Sequence, residues 1–488
     1  MKYKVLSILF FGVFLSTALW AQRNPPKIPA EIDMADYPRL ATELLNYFES
    51  HGYPFASVTL QSTAPDSGDF TPRIVVDTNI FVTFDSIVVK GDVKLAKGFL
   101  YPYLGLKRGR PYDERLMRQV AAKLQELPFA SYLQDPGVVF VKDKAYLYVF
   151  LDKRQTSRFD GYLGIVPVNE RTGKVAISGQ LDLALNNLFH VGESFLINWN
   201  SSERYSQKLD IAVRFPYLFR TRFGIEGTFR LDKQDTSYLT TDFHIGVPYT
   251  FVSNSYITPY FNLASSHVLN PDLIGSSGDT TYIDYRKTLY GLRLRFRKLD
   301  YLYNPRRGVD VGLDLSAGRR VIRVNRHVDP EYYDDMPMQR NSYRIAGEVR
   351  GYIPLGPRKR WVIAPRTQAG SLLSGPHYEN ELLKIAGPGM IRGFNPNDLQ
   401  ATTYWIYSLE VRYLFAKRSY AHVFFDGGIY EQQLVGRYRH DTPFGFGAGV
   451  NLAVRSGTFY LEYALGRQMK NPISFKRGLI HFGVKVDF

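Results

Sequence analysis

Cysteine is absent from all 488 residues. That excludes disulfides, a thiol nucleophile, zinc–thiolate sites and a lipid-modified cysteine behind a leader. Long apolar runs are equally scarce, since beyond residue 21 none reaches the roughly 18 residues that a membrane-spanning helix needs. Catalytic signatures are missing too. There is no G-x-S-x-G elbow and no H-E-x-x-H pair, and the nine histidines are scattered without metal-ligand spacing. GFGAG at 445–449 shares glycines with a dinucleotide loop. It stands in strand alternation with no helix after it, so small residues packing in a sheet account for it better. An enzyme is therefore not expected, and no cofactor or metal is implied.

What is abundant is aromatic and basic. Tyrosine (35) and phenylalanine (33) dominate an aromatic share of 15%, and 61 basic against 46 acidic residues give a net charge of +15. The opening MKYKVLSILFFGVFLSTALWA has a basic start, an apolar run and a small residue, Ala21. It reads as a secretory leader over 1–21, cleaved before Gln22. In an exported chain the positive balance suggests acidic lipid head groups or a cationic lumen rather than nucleic acid.

Two grammars follow one another. Over residues 81–155 the order strand, helix, helix, strand, strand is expected. Leu116, Val120, Leu124 and Leu127 form the stripe of the second helix, and a hairpin turns at Asp143 and Lys144. Residues 22–80 hold a linker and a partial copy: a helix striped by Leu40, Leu44 and Phe48, then two strands. From 156 to 488 only strands and turns are read. Leu209, Ile211, Val213 and Phe215 alternate with polar neighbours, and so do Leu292, Leu294 and Phe296 with Arg293, Arg295 and Arg297. About sixteen strands are expected, starting near 157, 175, 191, 206, 222, 237, 254, 288, 309, 341, 360, 403, 418, 444, 456 and 479. An exported chain with alternating strands and no apolar helix fits a transmembrane antiparallel β-barrel, because closure leaves no unpaired edge in lipid.

Between the eleventh and twelfth strands, from about 372 to 402, lies IAGPGMIRGFNPND, with Arg392 held among Ile391, Gly393 and Phe394. A lone charge with apolar neighbours suits a lumen where carboxylates satisfy it. Parity puts Glu410, beside Ser408 and Arg412, on the inner face of the next strand, and Asp426, beside His422, on that of the strand after. A guanidinium forks onto such carboxylates in a way that lysine does not reproduce. Arg392 is thus expected to pin the loop inside the barrel. Arg293, Arg295 and Arg297 form a second feature, a basic strip lining the lumen.

These residues carry a resemblance. IRGF at 391–394, SLEVRY at 408–413, FFDGG at 424–428, YNPRRG at 303–308, GFGAGVNL at 445–452 and the terminal Phe488 together resemble the Omp85 superfamily of outer-membrane assembly factors and translocators. In that family the arginine of the loop tip partners the aspartate of the thirteenth strand, and a terminal phenylalanine belongs to a barrel-targeting signal. The small α+β modules resemble POTRA domains, expected in the periplasm ahead of a bacterial outer-membrane barrel. The resemblance implies a machine that inserts barrel proteins or passes polypeptide across the membrane. Its partners are unfolded outer-membrane or secreted clients, outer-membrane lipid and candidate accessory subunits. A client strand is expected to pair at a seam between the first and last strands, near Gly483. Two readings compete: a secretion pore dedicated to one partner, and a passive or structural channel with the arginine strip along an anion path. About one and a half POTRA modules stand here, where the large assembly factor of the family has five.

Overall fold

The computed structural model describes residues 35–63, 71–154, 156–169, 174–201, 206–252, 254–274, 282–300, 304–387, 389–395, 397–416, 419–454, 457–469, 473 and 475–485. The leader and Phe488 lie outside the described residues. The chain divides into two compact units: residues 1–86 with 108–118 and 139–146, and residues 87–107 and 119–138 with 147–488.

In the first unit, α1 (Tyr37–Glu49) begins with proline in its first turn, where the missing N–H is harmless, and buries Leu44. The strands β1 (Ser57–Thr63) and β2 (Thr71–Asp77) form an antiparallel pair, tied to the helix by Tyr37, whose hydroxyl donates to the carbonyl of Val58. Next along the chain, divided between the two units, come β3 (Thr83–Lys90), α2 (Lys97–Leu104), α3 (Glu114–Gln125), β4 (Ala130–Val141) and β5 (Lys144–Lys153), in the expected order. The strands are arranged β3–β5–β4. Leu116 is only half-buried and Met117 takes its place on the buried stripe with Val120, Leu124 and Leu127. β4 runs through Pro136 and Gly137. It is an edge strand, where a proline removes no ladder hydrogen bond.

In the second unit, Phe99, Leu100, Leu104, Val120, Leu124, Leu127, Leu147, Val149 and Leu151 are buried, and the same unit holds the barrel that follows. The barrel strands are β6 (Arg158–Asn169), β7 (Lys174–Asn186), β8 (Ser194–Ser201), β9 (Gln207–Phe215), β10 (Ile225–Gln234), β11 (Tyr238–Gly246), β12 (Tyr249–Val252) and β13 (Ser255–Val268). They continue with β14 (Tyr285–Leu299), β15 (Gly308–Ile322), β16 (Gln339–Leu355) and β17 (Trp361–Leu372). After a long loop come β20 (Thr403–Ala416), β21 (Ser419–Leu434), β22 (Arg437–Asp441), β23 (Phe444–Val454), β24 (Gly457–Arg467) and β25 (Leu479–Lys485). The loop itself carries β18 (Leu383–Lys384) and β19 (Gln400–Ala401).

β12 and β22 are short pieces laid on the rim ends of β13 and β21. Without them sixteen staves remain, and the strand order returns β25 to the side of β6. Each stave starts within a few residues of its expected position. Exposed apolar side chains face one another across neighbouring staves, as in Leu292–Leu315–Ile345 and Leu409–Phe425–Phe446. That alternation is what a wall between lipid and a polar interior requires.

The rim at which β6 begins meets α2 and α3 inside this unit. The carbonyl of His190 accepts from the backbone N–H of Ala96, the rings of Phe99 and Tyr217 stand 5.7 Å apart, and Asn254 donates to Glu126 at 2.8 Å. Connections at the opposite rim include the long segments 269–284, 323–338 and 373–402.

Candidate functional site

The loop 373–402 folds inward, and its tip lies against β20, β21 and β24. Ile385, Ile391, Phe394 and Leu399 pack with Tyr404, Ile406 and Tyr430 of the wall. Burying those side chains is worth roughly 1.5–3 kcal/mol each as area removed from water. It also carries Arg392 out of solvent, so the charge has to be met locally.

It is met from three staves. Arg392 gives Asp426 three hydrogen bonds: backbone N to Oδ2 at 3.1 Å, Nε to Oδ2 at 2.6 Å and Nη2 to Oδ1 at 2.8 Å. Its Nη1 donates to Glu410 and to Glu462, both at 3.1 Å. Ser408 donates to Asp426 at 2.5 Å, and His422 lies 3.0 Å from Glu462. The guanidinium carbon stands 3.3 Å from the ring centre of Phe424, so one face of the cation rests on an aromatic quadrupole. Arg412 holds Glu410 at 2.7 Å and stacks near Tyr420. Every donor of Arg392 that points at the wall has an acceptor, which is the condition for keeping a charge buried.

The wall is cut to admit the loop backbone. A side-chain carbon on Gly445 would stand 2.0 Å from the carbonyl oxygen of Arg392, and one on Gly466 would stand 2.5 Å from that of Gly393. Gly393 itself has φ +90°, in the left-handed region that favours glycine. GFGAG is thus a stretch of sheet made thin where the loop tip lies against it.

The structure brings Glu410 and Asp426 to Arg392. Glu462 and the ring of Phe424 were missed, although their alternation with Leu461, Tyr463, Val423 and Phe425 puts both on the inner face. A second anchor at the loop root was missed altogether. Glu381, buried completely, receives Lys287 at 2.9 Å and Arg320 at 2.8 Å, and accepts from the backbone N–H of Tyr378. Next to it Asn380 donates to Ser266 and to the carbonyl of Ile283, while the Tyr285 hydroxyl donates to the Asn380 carbonyl.

The arginine strip is not bare. Arg293 pairs with Asp314 at 3.0 Å and Glu226 at 3.3 Å. Arg295 pairs with Asp310 at 2.5 Å and Glu348 at 3.1 Å, and Arg297 with Asp310 at 3.2 Å. The strip is thus interleaved with carboxylates. Among the described residues no group of histidines and carboxylates is placed to hold a metal.

Residues 187–488 match the Omp85 superfamily domain. The chain belongs to the Omp85 superfamily. Its fold is similar to that of CdiB from Escherichia coli, at TM-score 0.57 and 13% identity over 92% of this chain and 84% of that one. It is similar also to CdiB from Acinetobacter baumannii, at 0.54 and 13% over 92% and 81%. BamA from Haemophilus ducreyi lacking POTRA domains 1–3 aligns at 0.48 and 15% over 92% and 93%. No curated protein matches the sequence. Family and fold together make this a bacterial outer-membrane β-barrel preceded by a POTRA-like α+β region.

Proposed function

We propose that this Omp85 barrel inserts client polypeptides into the outer membrane, with its POTRA-like modules on the periplasmic side receiving them. The observation that carries this reading is the seating of the loop. Arg392 and Glu381 hold a long segment of the protein's own chain in the lumen, so the interior is occupied while the wall and the small sheets remain accessible. An extended client can add to the edges β3 and β4 through main-chain hydrogen bonds with little regard to sequence. The paired state of Arg293, Arg295 and Arg297 counts against a passive anion channel.

Depletion of the protein in its own host, followed by quantitative proteomics of the outer membrane, tests the proposal. Loss of a set of barrel proteins is the expected result. Loss of a single exported protein with barrels unchanged would replace insertion with dedicated secretion, and an unchanged profile would overturn both.

A further inference from the structure

The stem of the inward loop stands between two facing walls. Its strands β18 and β19 pair so that Lys384 lies opposite Gln400. From one side Lys384 reaches Asp232 of β10, Nζ to Oδ2 at 2.7 Å. On the other side the carbonyl of Gln400 accepts from Gln432 of β21, also at 2.7 Å. Leaving aside the short β12 and β22, β10 is the fifth stave and β21 the thirteenth. They stand eight apart in a ring of sixteen, on diametrically opposite sides. The stem is therefore a crossbar, and a second tie from Asn397 to Gln234 at 3.2 Å joins the same loop to β10.

The two ends of the crossbar differ in kind. Toward β21 the loop is backed by the buried Arg392 cluster and by the apolar packing of Ile385, Ile391 and Leu399. Toward β10 it is held, among the described residues, by one ion pair, in which both side chains are 30% exposed, and one amide hydrogen bond. Only one oxygen of Asp232 is engaged. Half-wet pairs of this kind are weak and screened by salt, whereas a buried, multiply bonded arginine is not readily released.

We propose that Lys384 and Asp232 form the releasable latch of a luminal gate. When the pair opens, the stem swings away from β10 about its fixed end at Arg392, and the lumen opens along the β10 wall. This inference needs no client and stands apart from the proposed insertion activity, because conduction is read in the absence of any polypeptide.

Single-channel recording of the full-length protein in planar lipid bilayers tests it. Asp232→Ala and Lys384→Ala should each raise the open probability roughly 2- to 5-fold, the range a single half-exposed pair supports. The exchange Asp232→Lys with Lys384→Asp should restore the original gating. Added salt should raise the open probability of the original protein and leave that of Asp232→Ala unchanged. Because the chain has no cysteine, Asp232→Cys with Lys384→Cys can be bridged by a cleavable bifunctional thiol reagent. Bridging should silence the channel and cleavage should reopen it, a readout that holds even if an alanine variant fails to assemble. Alanine variants gating like the original protein, or currents indifferent to the bridge, would overturn the latch.

Discussion

Arg392 and Asp426 meet through three donors and both carboxylate oxygens, although 34 residues separate them and one belongs to a loop and the other to a stave. The fork uses the backbone N–H as well as the side chain, so it sets the position of the loop backbone together with its charge.

Replacing Arg392 by alanine takes from Asp426, Glu410 and Glu462 the cation they share, while Glu410 keeps Arg412. The expected loss is about 3 to 5 kcal/mol of loop anchoring, seen as new protease cleavage within 385–399 and a fall in client insertion while the barrel stays assembled. Arg392→Lys should recover only part of this, because an ammonium lacks the fork. A loop equally resistant to protease in Arg392→Ala would remove the anchoring role.

Gly445→Ala adds one carbon in the space of the Arg392 carbonyl oxygen. Overpacking of this kind costs about 1 to 3 kcal/mol, and here backbone has to move. The variant should reproduce the cleavage pattern of Arg392→Ala with every charge intact. Gly227→Ala, whose nearest atom is 3.8 Å away, serves as the comparison and should behave like the original protein.

At the loop root the expectation is asymmetric. Lys287→Met leaves Glu381 paired with Arg320, whereas Glu381→Ala strands two buried cations. Thermal unfolding should show the glutamate variant losing about 3 to 5 kcal/mol and the lysine variant clearly less. Equal losses would mean that Glu381 acts through packing alone.

Lys123 supplies a pH dependence. Burial, assisted by the nearby Arg222, lowers its pKa from the ordinary value to about 8, while its Nζ donates to the Leu104 carbonyl. Between about 8 and 10.5 the unfolded chain keeps a proton that the folded chain has released, so stability rises with pH across that window and is flat below it. The gain is at most about 3 kcal/mol at the usual value per pKa unit. Urea unfolding of the α3 region at pH 7 and pH 10 should show it, and Lys123→Met should abolish it.

Alternation carried most of what the sequence makes legible. It places Leu409 outward and Glu410 inward on one strand, and it locates every stave. Parity says which face a residue occupies but not which distant residue shares its level. Glu462, 70 residues from Arg392, therefore joins the cluster only through the register of β24 on β23. The acidic partners of the arginine strip were missed for the same reason. Asp310 and Asp314 alternate inward on the next strand, where the ladder sets Asp310 across from Arg297 and Asp314 across from Arg293. Glu381 gave no periodic signal, since it sits in a single turn of 3-10 helix inside the loop.

The acceptors of Arg392 are dispersed along the chain. Ser408 and Glu410 stand on the twelfth stave, Asp426 on the thirteenth and Glu462 on the fifteenth. Whatever the order in which those staves pair, the guanidinium has its full complement of acceptors only when all three stand in register, and without them it does better in water than against the wall. A fully seated tip therefore reports that this part of the cylinder is correctly paired, which turns a local ion cluster into a gauge of register.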